Sequence, residues 1–121
     1  MKFLLTQIFL LVFTIIWSQP NIQWQKTIGG QANDIIEKIT IFENGYVLGG
    51  TSNSNISGEK TQNSWGSVDC WILILNSDGQ IQWQKTIGGS LSDVLYDVKV
   101  TSDNKLIIAA SSSSDISGDK T

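Results

Sequence analysis

The nonapeptide IQWQKTIGG occurs twice, letter for letter, at residues 22–30 and 81–89 of a 121-residue chain. A chain that repeats itself at such a period is built from units that each solve the same packing problem, so its fold is read one unit at a time. The period is 59: Ile22 maps onto Ile81, Asp34 onto Asp93 and Ser52 onto Ser111. Beyond the nonapeptide the match is by residue type. Ile35, Ile39 and Ile41 face Val94, Val98 and Val100, while Val47 and Leu48 face Leu106 and Ile107. ISGEKT at 56–61 then returns as ISGDKT at 116–121, now spaced by 60, which assigns a one-residue length change to the Ser/Asn-rich stretch between. One unit covers 22–80, and a second is incomplete where the sequence stops at Thr121.

Within a unit the period is that of strands. IEKITIF and YDVKV alternate apolar and polar residues, and no segment sustains the 3.6-residue spacing of an amphipathic helix. Four strands per unit are expected, at 35–42, 46–52, 70–76 and 81–87, with 22–28 an extra copy of the fourth. ENG at 43–45, its counterpart SDN at 102–104, and NSDGQ at 76–80 are rich in residues that tolerate turns and positive φ. The polar stretch 53–68 is the one long loop. WILIL is apolar on both faces and YVLGG nearly so, which requires a sheet covered on both sides. Antiparallel four-stranded units arranged radially supply that covering, so the expected fold is all-β and β-propeller-like, an incomplete ring of units of 59 residues.

The N-terminus sets the compartment. MKFLLTQIFLLVFTIIWSQP places Lys2 before an apolar run from Phe3 to Trp17 and then the small Ser18, the pattern of a secretory signal peptide. The run is shorter than the roughly 20 residues that span a bilayer, so no stable membrane span is expected after cleavage at Ser18. The resulting division is a signal peptide at 1–18, an opening strand plus first blade at 19–80, and the fourth strand plus a partial second blade at 81–121. Without the signal peptide the chain carries seven Lys, no Arg, no His and eleven acidic residues, a net charge of -4. Nucleic acid is disfavoured as a partner, since its recognition needs a basic patch. The absence of His removes the commonest general base and metal ligand. The single Cys70 forms no internal disulfide, so core packing alone must hold an exported domain together.

The stretches IQWQKTIGG…D and GYVLGGTSNSNISGEKT…DCWILILNSDGQIQWQKTIGG resemble the tandem β-propeller-type repeats of large exported proteins from type IX-secreting bacteria. The resemblance covers the whole chain after the signal peptide. It implies a secreted or cell-surface module that presents loops for adhesion, in contact with an unidentified protein or carbohydrate, and it implies further repeats in the same polypeptide. On that reading the 121 residues are the N-terminal fragment of a longer protein. If the chain is complete as given, its exposed sheet edge predicts self-association. The other function class is part of a propeller enzyme, hydrolase or quinoprotein-like, whose active site lies in other blades; NSDGQIQW is only loosely similar to the hairpins of those families.

In IQWQKTIGG, Ile22, Trp24 and Ile28 alternate with Gln23, Gln25 and Thr27, so Trp24 and Trp83 are expected to pack between units. Gly29-Gly30 and Gly88-Gly89 then release the chain into the next unit. Asp34 and Asp93 follow these glycines and precede an apolar strand, where a carboxylate accepts backbone N–H groups of the turn. An acid-base pair has no second carboxylate at a matching position, because Glu37 becomes Tyr96 and Glu43 becomes Ser102. Cys70 begins a buried strand with no His to activate it, so no catalytic residue is assigned. Asn53, Asn55, Glu59, Asp69, Asp115 and Asp119 offer oxygen atoms, but their spacing is not that of a compact calcium loop, and no metal or cofactor is assigned. NIS at 55–57 matches an N-glycosylation sequon. Trp65 in the long loop is the aromatic expected at the surface and the candidate contact residue.

Overall fold

A computed structural model describes residues 19–121; the expected signal peptide lies outside the described residues. The described residues form six strands: β1 Asp34–Phe42, β2 Gly45–Ser52, β3 Asp69–Leu75, β4 Ile81–Ile87, β5 Asp93–Val100 and β6 Leu106–Ser112. The fold is all-β. Strands β1 to β4 pair antiparallel in chain order as one sheet, β5 and β6 form a second, and neither closes on itself.

The second sheet lies across the first, with β5 over β1, β2 and β3. Between the sheets Val47, Cys70 and Ile72 meet Leu95 and Val98, flanked by Phe42, Ile74, Ile87, Val100, Leu106 and Ile108. Each such aliphatic side chain contributes about 1.5–3 kcal/mol by leaving water. On the far face of the first sheet Leu48, Trp71, Leu73 and Leu75 form a second cluster with Ile28, Tyr46 and Ile81. Strand β3 is therefore buried on both faces, as the unbroken apolar run WILIL demands.

Both first strands carry a bulge at the same place, between Ile36 and Lys38 in β1 and between Leu95 and Asp97 in β5. The extra residue brings Ile36, Ile39 and Ile41 to one face of β1, and Leu95, Val98 and Val100 to the matching face of β5.

The ladders move the length change. Asp34 pairs with Ser52 and Asp93 with Ser112, while Ile39 pairs with Leu48 and Val98 with Ile108. Ser52 therefore corresponds to Ser112, not Ser111, and Val47 and Leu48 correspond to Ile107 and Ile108. The inserted residue belongs to the hairpin turn between β5 and β6, not to the Ser/Asn-rich loop. There Thr101 to Lys105 close a wider turn through Thr101 N–H to Lys105 O at 2.8 Å, with Asn104 at φ 59°.

The segment 22–28 is not a strand, although its letters match those of β4. A strand exists through its ladder, and β4 has β3 beside it. The segment instead runs over the far face of the first sheet. Trp24 meets the Tyr46 ring edge-on at 6.0 Å and donates its indole N–H to Ser77 O at 2.8 Å, while Ile28 joins the second cluster.

Candidate functional site

Among the described residues one hydrogen-bonded corner is built twice. After each Gly-Gly pair an aspartate turns back on the chain: Gly30 N–H donates to Asp34 Oδ2 and Gly89 N–H to Asp93 Oδ2, both at 2.7 Å. The Ser54 and Ser114 hydroxyls donate to the same carboxylate oxygens at 2.9 Å, and accept from Ala32 N–H and Leu91 N–H. Three residues on, the Ser57 and Ser117 hydroxyls accept from Gln31 N–H and Ser90 N–H. Lys60 Nζ donates to Ser54 O at 2.6 Å, and Lys120 Nζ to Ser114 O. The loop then passes under the Gly-Gly carbonyl, with Glu59 N–H on Gly29 O and Asp119 N–H on Gly88 O. Gly58 and Gly118 make this pass at φ 55° and 60°, where a Cβ would strike those carbonyls.

Burial pushes the Asp34 carboxyl up, but hydrogen bonds from the Ser52 hydroxyl, the Gly30 N–H and the Ser54 hydroxyl, together with the Lys60 charge, hold it below its usual range. Burial opposes and Ser112, Gly89, Ser114 and Lys120 prevail at Asp93 in the same way. Asp69 has no counterpart among the described residues and behaves oppositely. It is fully buried, and burial raises its carboxyl despite Trp65 N–H at 2.7 Å and Gly66 N–H at 3.3 Å, with the Asp93 charge adding to the rise. Lys60 is also buried; desolvation lowers its ammonium, opposed by the charges of Asp34 and Asp69. Its Nζ also reaches Ser64 Oγ at 3.2 Å and lies 6.0 Å from the Trp71 ring centroid. These charges hold loops to strand ends.

Cys70 sits in the core with its thiol pushed up to about 11, by burial first and then by the Asp93 and Asp69 charges. A native thiolate is therefore scarce and shielded. A thiol reagent such as Ellman's is expected to leave the folded chain unmodified at neutral pH and to titrate one thiol in denaturant; fast labelling of the folded chain would contradict the packing. The loop oxygens do not converge. Asn53 Oδ1 accepts from Asn33 N–H and Glu59 Oε2 from Gly29 N–H, while Asp119 pairs with Lys85 at 3.1 Å.

A cleft of about 360 Å³ opens where the two sheets' loops meet. Gln62, Asn63, Ser64 and Trp65 form one wall, Lys85 and Thr86 of β4 the second, and Asp119 the third. Gln62 Oε1 caps the Thr86 N–H on the outer edge of β4 at 2.7 Å, and Asn63 Oδ1 accepts from Ile56 N–H. Each amide thus spends its oxygen on backbone. The Trp65 ring is 59% exposed at the rim, the highest exposure of any tryptophan among the described residues. Trp24 lies on Tyr46, and Trp83 stands opposite Ile74 in the ladder, on the face turned to the second sheet and partly open to solvent.

No protein-family model, curated protein or solved structure matches the chain. The corner serines and lysines are absent from the residues singled out by sequence alone. Their signal is present all the same: Ser54, Ser57 and Lys60 recur at Ser114, Ser117 and Lys120, a constant spacing of 60. The chemistry of a buried Lys lies in its partners, which the sequence does not display.

Proposed function

We propose that the chain is a non-catalytic module of an exported, cell-surface protein, a β-propeller-like array of units of 59 residues that presents loops for contact with carbohydrate or protein. The observation that carries this reading is the duplicated corner, in which Asp34 and Asp93 make the same bonds to Gly-Gly and serine. A carboxylate used identically at each repeat is an architectural device, and binding belongs to the parts that differ between units. The cleft beside Trp65 lies outside that device, between the long loop, β4 and Asp119. An exposed indole, two side-chain amides and the Lys85–Asp119 pair at 3.1 Å give a ring face and a set of polar groups of balanced charge. Neutral sugars are read by that combination of stacking and hydrogen bonding.

The test is a titration of the exported chain with soluble cello-, xylo- and chito-oligosaccharides, followed by tryptophan fluorescence and calorimetry. Saturable binding is expected with one of these series, and W65A should weaken it at least tenfold, about 1.4 kcal/mol. W65A should leave the melting temperature unchanged, because the ring is exposed and surface changes are usually within about 0.5 kcal/mol. Binding that W65A does not alter removes the cleft as the contact site, and an absence of binding to every series removes carbohydrate as the ligand class.

A further inference from the structure

The first sheet has two apolar faces, and β5–β6 covers only one of them. On that side Leu95 and Val98 are fully buried and Val100 half-buried against Val47, Cys70 and Ile72. By the shared bulge and ladder, the residues of the first sheet that correspond to Leu95, Val98 and Val100 are Ile36, Ile39 and Ile41. These are 43%, 56% and 74% exposed. The segment 22–28 occupies the part of this face over Tyr46, which leaves the β1 side open. At the other end of the molecule Ile107 replaces Val47 on the outward face of β5–β6, where it and Tyr96 are exposed.

We propose that these two surfaces are the halves of one interface, and that a second copy of this chain stacks head to tail, the outer face of its β5–β6 sheet seated on Ile36, Ile39 and Ile41. This goes beyond the ligand-binding reading and does not depend on it. The internal packing of the two sheets is the template, and the charges fit its repetition. Lys38 and Asp97 occupy the same position in successive units and pair at 3.3 Å. In a stack, Asp97 of one copy meets Lys38 of the next, so the shared position carries opposite charges at every step. Two like residues there would repel. A contact between different surfaces is heterologous and leads to a ring or an open stack, not to a closed two-fold dimer.

The experiment is light scattering and sedimentation on the chain purified from expression of the full sequence. The mass is expected to rise with concentration past that of a dimer. I39D/I41D and I107D, all at exposed positions, should each be monomeric with unchanged melting. Mixed together they should form a 1:1 heterodimer that grows no further, because each retains the surface the other lacks. D97K should raise the dissociation constant at least tenfold, and K38E/D97K should restore it. The proposal is overturned if the wild-type chain stays monomeric at every concentration. Assembly that survives I39D/I41D, the mark of sheet-edge pairing, also overturns it, as does I107D self-association without heterodimer formation, the mark of a face-to-face dimer.

Discussion

Gly88→Ala is expected to destabilise the protein by roughly 3 kcal/mol or to prevent folding, while Gly29→Ala at the matching position costs no more than about 1 kcal/mol. The two glycines stand in identical nonapeptides, so the difference comes from what surrounds them. A Cβ on Gly88 would run into Asp69 Oδ1 and approach Asp93 Oδ2 to 2.9 Å. Neither carboxylate can yield: Asp69 is fully buried and fixed by Trp65 and Gly66 N–H, and Asp93 is fixed by Gly89 N–H and the Ser114 hydroxyl. At Gly29 the three atoms nearest an added Cβ all belong to Asp34, the closest being Oδ2 at 3.2 Å, and the corner is only half-buried. Extra volume in a packed site costs typically about 1–3 kcal/mol, a large share of the ~5–15 kcal/mol that holds a domain folded. Urea unfolding of both variants measures the contrast. Equal midpoints would mean that the Gly88 junction is looser than its neighbours imply.

The same comparison shows where the sequence was legible. Strand positions and the doubly covered β3 follow from local pattern, because WILIL has no polar face to leave in water. The acceptor position of Asp34 and Asp93 is readable from a short side chain between a Gly-Gly turn and a strand. Identical letters did not carry identical structure, however. IQWQKTI is strand β4 at 81–87 and has no ladder at 22–28, since pairing is a property of what lies alongside. The offset of the second hairpin was equally hidden. Leu106, Ile107 and Ile108 are three apolar residues in a row, so either register satisfies a match by type, and only the hydrogen bonds from Asp93 to Ser112 onward choose between them. Lys60 defeats composition arguments for the same reason. A lysine reads as solvated until the oxygens of Ser54 and Ser64 and the ring of Trp71 are placed around it.

Asp93→Ala is expected to cost about 3 kcal/mol at neutral pH, because Gly89 N–H and the Ser114 hydroxyl lose a charged acceptor in a buried corner and a stranded donor costs about 1–3 kcal/mol. The pH dependence separates this carboxylate from its neighbour. Asp93 is held below the ordinary range of an aspartate, as is Asp34. Their contribution is therefore complete above the unfolded-state pKa of about 3.9, and it is lost as pH falls through the lower folded values. Asp69 is raised above the ordinary range of an aspartate, so the native state holds its proton to higher pH than the unfolded chain does. Its charge penalises folding as pH climbs from about 3.9 through the folded value, and acidification relieves that penalty. D93N should thus lower stability at neutral pH and flatten the acid limb of the stability curve. D69N keeps an oxygen for Trp65 and Gly66 N–H, gives up less stability at neutral pH, and steepens the same limb by removing the proton uptake that opposes acid unfolding. Denaturant midpoints across the acid range for the wild type and both variants decide it. Parallel curves for D93N and D69N would show that the two carboxylates, on either side of Gly88, are not divided by their partners as the hydrogen bonds require.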